Sequence, residues 1–130
     1  MEIWFQQIVD GNLFHLNSKE IILDKLMEEF INASIKYGEA IEKGDYRKAN
    51  KHSQTVRRIR QQLKENNKLA LLYDFMRHEN GFVRLNVAAS LINVSPKESR
   101  WILLDLQNSK GLLGFEAKMF LQEWEKEEIM

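Results

Sequence analysis

The 130-residue sequence contains no cysteine, which excludes disulfide bonds and thiolate metal sites and fits a reducing compartment. It has one proline and six glycines, a scarcity that disfavours an architecture of many short strands and turns. No apolar run approaches the roughly 20 residues of a membrane-spanning helix, and no basic segment with a small-residue cleavage pattern opens the chain. We therefore expect a cytoplasmic, mainly helical protein without a membrane contact.

The residue patterns of enzymes and metal sites are missing as well. No nucleophile stands at a recognisable spacing from a base, and His15, His52 and His78 belong to no paired-ligand motif. The adjacent pair Glu28 and Glu29 would point in different directions on a helix, so it cannot form an acid and base couple. The sequence predicts a protein that is not an enzyme and that uses no metal or other cofactor.

Negative charge is absent from one segment of the chain. The basic residues between positions 46 and 64 are Arg47, Lys48, Lys51, Arg57, Arg58, Arg60 and Lys64, with no acidic residue among them. The rest of the chain holds the other 12 basic residues and all 19 acidic ones, so the neutral total conceals a segregated distribution. We call these seven side chains the basic ridge.

Apolar residues recur at intervals of three and four residues, which is the period of an amphipathic helix. Start and stop signals divide them into about six helices: a capping box at Asn17, Gly44 followed by Asp45, and Ser95 followed by Pro96. Further boundaries fall at residues 66–67, 80–81 and 109–111. The apolar stripes place Tyr46 of the second helix and Trp101 of the fifth helix toward the core.

Residues 1–16 are expected to form an N-terminal appendage to a single helical domain of residues 17–130. Asp10 and Gly11 between two apolar segments favour a two-residue hairpin turn, and a short helix is the alternative. Such an appendage would fold onto the helical body or onto a second copy of the chain. A monomer and a homodimer both remain open.

The segment Gly-Phe-Val-Arg-Leu-Asn-Val-Ala-Ala-Ser-Leu at residues 81–91 has two small alanines that let a helix lie close to its neighbour. A shift of thirty residues lays the third and fourth helices over the fifth and sixth, with Val87 on Ala117 and Leu91 on Leu121. With Gly44-Asp45 and the motif at residues 111–124, this pattern resembles a small bacterial HEAT-like family of unknown function.

The resemblance covers residues 21–126 and implies an all-α fold. The expected architecture is an alpha-alpha superhelix, a HEAT-like right-handed stack of about six helices in three antiparallel pairs. Related HEAT-like proteins include the immunity partners of secreted bacterial toxins. The resemblance therefore implies a protein-binding role, as a toxin-neutralising or adaptor protein, and carries over no functional residue.

Two candidate surfaces follow from such a stack. The second helix of each pair lines the concave face, where Asn86, Ser90 and Asn93 make a polar stripe and Glu116 has the equivalent place on the sixth helix. Arg84, on the same helix, is expected to bridge to an acidic residue in an adjoining helix or turn, with Asp74 and Asp105 as the candidates.

The basic ridge is the second surface, and its candidate contact residues are Arg47, Lys51, Arg57 and Arg58. It would attract an acidic protein partner, unless the arginines pair with the acidic residues of the first helix. The alternative is a nucleic-acid-binding protein that uses the same ridge, which the absence of interleaved aromatic residues makes less favoured.

Overall fold

The computed structural model describes residues 11–129, and the side chains of residues 19–127. Five α-helices and one 3₁₀ helix make up this part of the chain, and it contains no strand. The elements are α1 (Gly11–Glu42), α2 (Tyr46–Glu65), the 3₁₀ helix (Leu69–Phe75), α3 (Gly81–Leu91), α4 (Pro96–Leu106) and α5 (Gly111–Ile129). The predicted all-α class is confirmed.

Local capping chemistry fixes most of the helix boundaries. The Asp45 carboxylate accepts a hydrogen bond from the Lys48 amide at 3.2 Å, and the Asn80 side chain accepts from the amides of Phe82 and Val83. Gly44 reverses the chain between α1 and α2 with a φ of +75°, a conformation that glycine adopts without strain. The predicted boundaries at residues 44–45 and 80–81 are thereby confirmed.

The start of α1 differs from the prediction. The helix begins at Gly11, six residues before the expected capping box, so a strand over residues 12–16 is not formed. No glycine or proline lies between residues 12 and 37, and a helix without a breaker extends by one hydrogen bond per added residue. The first half of the predicted hairpin, residues 1–10, lies outside the described residues.

Helix α3 is the centre of the molecule because it is buried on two sides. Val83, Val87 and Leu91 belong to a hydrophobic cluster that also includes α1, α2 and the 3₁₀ helix. Leu85 and Ala88 belong to a second cluster shared with α4 and α5. A helix with apolar residues on both sides must lie between neighbours, so the elements stack as layers on either side of α3.

Two aromatic residues predicted to be inward lie in solvent. Tyr46 is 63% exposed, because it is the first residue of α2. Trp101 is 71% exposed, because the buried side of α4 is formed by Ser99, Leu103 and Leu106. The apolar pattern alone favoured Trp101 over Ser99, whereas the packed helix buries the serine.

Candidate interaction groove

Helices α2, α3 and α5 enclose a groove made of two adjoining cavities of about 270 and 360 Å³. The cavities share Arg60, Ala89 and Phe120, so they form one continuous depression, which we call the central groove. It has a basic wall on α2, a floor on α3 and a mixed acidic and aromatic wall on α5. The residues that line it include Arg57, Arg60, Lys64, Asn86, Ala89, Ser90, Asn93, Glu116, Met119, Phe120, Glu123, Trp124 and Glu127.

The predicted polar stripe forms the floor of the central groove. Asn86 donates a hydrogen bond from Nδ2 to the Ser34 hydroxyl of α1 at 3.0 Å, and the Ser90 hydroxyl donates to the Asn86 carbonyl oxygen at 2.7 Å. Asn93 is exposed and accepts a hydrogen bond from the Trp124 indole nitrogen at 3.3 Å. The stripe therefore ties α3 to α1 and α5 as well as facing the groove.

Arg60 is the most unusual side chain of the basic wall. It is half-buried, and its Nε donates a hydrogen bond to the Ser90 hydroxyl at 2.7 Å. Burial, followed by the charge of Arg57, lowers the pKa of Arg60. Among the side chains of residues 19–127, no carboxylate lies within 4.0 Å of this guanidinium. A desolvated cation without a counter-ion is a costly arrangement, which an anionic group would relieve.

The other predicted ridge residues point in different directions. Arg58 forms an ion pair with Glu29 of α1 at 2.6 Å, and Lys51 lines a shallow depression on that same side. Arg57 turns to the central groove and donates a hydrogen bond to the Ser53 hydroxyl at 3.2 Å. Arg47 is exposed near the start of α2. The ridge is thus divided between the central groove and the α1 side.

Glu116 lies at one end of the central groove, where the Tyr37 hydroxyl donates to its two carboxylate oxygens at 2.7 and 2.8 Å. Burial raises the pKa of Glu116, and the hydrogen bond from Tyr37 opposes that rise. The pKa of Tyr37 is raised by its own burial and then by Glu116. In the sequence, Tyr37 stands among apolar residues spaced by three and four, and nothing near it signals a polar partner, although a buried tyrosine hydroxyl requires one.

We expect Tyr37→Phe to lower the free energy of unfolding by about 1.5–3 kcal/mol near neutral pH, where Glu116 is charged. The hydrogen bond from Tyr37 lowers the pKa of the Glu116 carboxyl against the rise that burial causes, so it stabilises the charged form; its contribution to stability is present above the folded-state pKa and is lost as pH falls through it. The difference between the two proteins should therefore shrink as the pH is lowered to about 4.

Urea denaturation at several pH values measures this difference. Tyr46→Phe removes the same hydroxyl from an exposed tyrosine and should change the unfolding free energy by less than about 0.5 kcal/mol. An equal loss for Tyr37→Phe at neutral and acidic pH would contradict the role given to the charged form of Glu116.

The partner predicted for Arg84, an acidic residue, is wrong. Its Nη1 donates hydrogen bonds to the carbonyl oxygens of His78 at 2.6 Å and Glu79 at 3.1 Å. Neither Asp74 nor Asp105, the acidic partners expected from the sequence, lies within ion-pair distance of Arg84 in the described part of the chain. Arg84 instead holds the loop before α3 against its own helix, because that loop presents main-chain acceptors nearer than any carboxylate.

No three side chains among His, Asp and Glu lie together so that they could hold a metal ion in this part of the chain. None of the helices within residues 11–129 combines the length and the apolar character needed to cross a membrane.

The fold is similar to that of a solved bacterial protein. The crystal structure of the protein RPA1889 from Rhodopseudomonas palustris CGA009 superposes with a TM-score of 0.72 and 21% sequence identity, covering 79% of this chain and 88% of that chain. No protein-family model matches the chain, and no curated protein is significantly similar to it. At this identity the likeness concerns the fold alone. The chain therefore has an all-α, alpha-alpha superhelical fold.

Proposed function

We propose that this chain is a non-enzymatic, HEAT-like module of the cytoplasm that binds an acidic segment of a protein partner in the central groove. The observation that carries the proposal is the pair Arg57 and Arg60, which faces the groove without a carboxylate within 4.0 Å among the described side chains. A carboxylate of the partner would supply the missing counter-charge. The absence of cysteine supports the proposed compartment.

The surroundings of the two arginines favour a protein ligand. Phe120 and Trp124 are half-buried in the facing wall, and the Met119 side chain is exposed beside them. A planar guanidinium can hold a carboxylate by two parallel hydrogen bonds, and arginine and tryptophan are enriched among residues that dominate interface energies. A segment that combines acidic and apolar side chains satisfies both walls of the central groove.

Binding by the Arg57 and Arg60 pair can be tested with a displayed peptide library. We expect peptides selected on this protein to carry Asp or Glu beside apolar residues. Arg57→Glu should lower the affinity for these peptides at least about tenfold, mainly through slower association. Arg60→Gln should accelerate dissociation, because it removes the desolvated charge. Fluorescence anisotropy and stopped-flow mixing with the selected peptides measure both effects.

Arg47→Glu is the matched control, since it makes the same charge change on an exposed part of α2 that does not line the central groove. It should alter the affinity by less than about threefold at physiological salt. Selection of peptides without acidic residues, or equal effects of Arg47→Glu and Arg57→Glu, would contradict the proposal.

The proposal covers two more specific roles, that of a toxin-neutralising immunity protein and that of an adaptor. Both rest on the HEAT-like resemblance of the sequence and on the charge of the groove. The activity of an enzymatic partner separates them: an immunity protein abolishes that activity on binding, whereas an adaptor leaves it intact. The chain itself would act as a monomer or as a homodimer.

The second candidate function is nucleic-acid binding along α2, which the exposed side chains of Arg47, Lys51, Arg57 and Lys64 favour. The acidic residues Glu123 and Glu127 on the opposite wall of the central groove would repel phosphates. In that case Arg47→Glu and Arg57→Glu should weaken duplex binding equally, and log affinity should fall with log salt with a slope of about −0.9 per phosphate contact. No retention of a labelled duplex at low salt would exclude it.

A further inference from the structure

We propose that a second cleft, between α1 and the 3₁₀ helix, binds a basic amphipathic helix of another protein. The cleft has a volume of about 610 Å³, and none of the nine residues that line it is basic. It shares no residue with the central groove. We call it the acidic cleft.

Its rims carry charge of one sign. Glu20, Asp24 and Glu28 recur every four residues on α1 and so lie in a row along one face of the helix, and Asp74 of the 3₁₀ helix also lines the cleft. Among the side chains of residues 19–127, no Lys, Arg or His lies within 4.0 Å of these four carboxylates. Like charges at this spacing destabilise a helix by about 0.2–0.5 kcal/mol per pair. No direct ion pair among the described side chains offsets this repulsion.

The surface between these charges is apolar. Leu23 and Ile31 of α1 and Phe75 of the 3₁₀ helix are half-buried in the cleft, and Leu71 is exposed. From Glu20 to Glu28 the charged row extends about 12 Å at the helical rise of 1.5 Å per residue. An apolar strip of this length with negative flanks complements two to three turns of a helix that has an apolar stripe bordered by Lys or Arg.

Two other occupants match the acidic cleft less well. Residues 1–18 of this chain contain Glu2 and Asp10 but no Lys or Arg, so that segment does not supply the opposite charge. The α2 helix of a second copy supplies basic residues, but Tyr46 is its only exposed large apolar side chain. Only a partner that carries both features satisfies the rims and the apolar strip together.

The test uses the full chain and two model peptides. One peptide has about 18 leucine and lysine residues spaced to give one apolar and one basic helix face, and the other replaces each lysine by glutamate. Fluorescence anisotropy measures binding, and circular dichroism measures helix formation in the peptide. We expect the lysine peptide to bind as a helix and the glutamate peptide not to bind.

Paired charge reversals locate the contact. The double variant Asp24→Lys, Glu28→Lys should bind the lysine peptide at least about tenfold more weakly, because it places positive charges of the protein beside those of the peptide. Glu39→Lys with Glu42→Lys reverses two exposed carboxylates of α1 outside the acidic cleft and should change binding by less than about threefold. Leu71→Asp should also weaken binding, since it puts a charge into the apolar strip.

Equal binding of the two peptides, equal effects of the two paired reversals, or no binding of the lysine peptide would each overturn the proposal. So would a self-association of the protein that Asp24→Lys with Glu28→Lys abolishes, because the occupant would then be a second copy. Arg57→Glu should leave the lysine peptide unaffected. Failure at the acidic cleft is therefore distinguishable from failure at the central groove.

Discussion

Phe82→Ala is expected to lower the free energy of unfolding by about 3–5 kcal/mol, the usual cost of truncating a buried phenylalanine. The side chain is 6% exposed and packs edge-on against the Tyr37 ring, with 5.9 Å between the ring centroids. Its ring also fills the space above Gly38, where an added Cβ would overlap it. Truncation would open a cavity between α3 and α1, since both neighbours are held by their own helices.

Phe115→Ala is the matched control for this prediction. Phe115 is 57% exposed on α5, so its truncation should change the unfolding free energy by less than about 1 kcal/mol. Urea denaturation of both variants measures the difference. A loss for Phe82→Ala as small as the one expected for Phe115→Ala would show that the contact of Phe82 with α1 does not stabilise the fold. Because this contact joins α3 to α1, the variant also tests how firmly the floor of the central groove is held.

Leu103→Ala is expected to lower the free energy of unfolding by about 2–5 kcal/mol. Leu103 is fully buried in the cluster that joins α3, α4 and α5. A cavity at this place would loosen the packing of α5, which forms one wall of the central groove. The size of the loss depends on how far Leu106 and its neighbours relax into the space.

The comparison with Trp101→Ala makes this prediction specific to the observed packing. Trp101 is the larger side chain but lies mainly in solvent, so its removal should lower the unfolding free energy by less than about 1 kcal/mol. Thermal and urea denaturation of the two variants establish the order. If Trp101→Ala lowered the free energy of unfolding more than Leu103→Ala does, the result would contradict the observed packing and support the buried tryptophan that the apolar pattern predicted.

Local chemistry made several features predictable. Gly44 and Asp45 mark the turn between α1 and α2, and Asn80 marks the start of α3, because glycine conformation and capping act within a few residues. Pro96 also begins α4 as predicted, although the Ser95 side chain makes no capping hydrogen bond. The third helix was predicted in the correct place, but as a seven-residue 3₁₀ helix it has a tighter winding than expected.

The thirty-residue similarity was informative for some positions and misleading for others. Val87 and Ala117 are both fully buried, as are Leu91 and, nearly so, Leu121. Leu85 is buried, whereas Phe115 at the matching position lies in solvent. Helix α3 has neighbours on two sides, whereas no other described element covers α5 at the position of Phe115, so equivalent positions differ in burial.

The candidate site depended on contacts that no local pattern encodes. Tyr37 and Glu116 are 79 residues apart in the sequence, and Arg60 and Ser90 are 30 residues apart. The sequence predicted that Glu116 and Ser90 face a concave surface, but it contained no signal for their partners. The direction of Arg57 and Arg58, one to the groove and one to Glu29, is set by how α2 packs on α1.

The amino-acid sequence alone was sufficient to predict the all-α class, most helix boundaries and the concentration of positive charge on α2. These features depend on neighbours within about one or two helical turns. The packing of the helices against one another settled the double-sided burial of α3, the isolation of Arg60 and the division of the basic ridge. Those properties depend on which surfaces exclude water together, and that is decided between segments far apart in the chain.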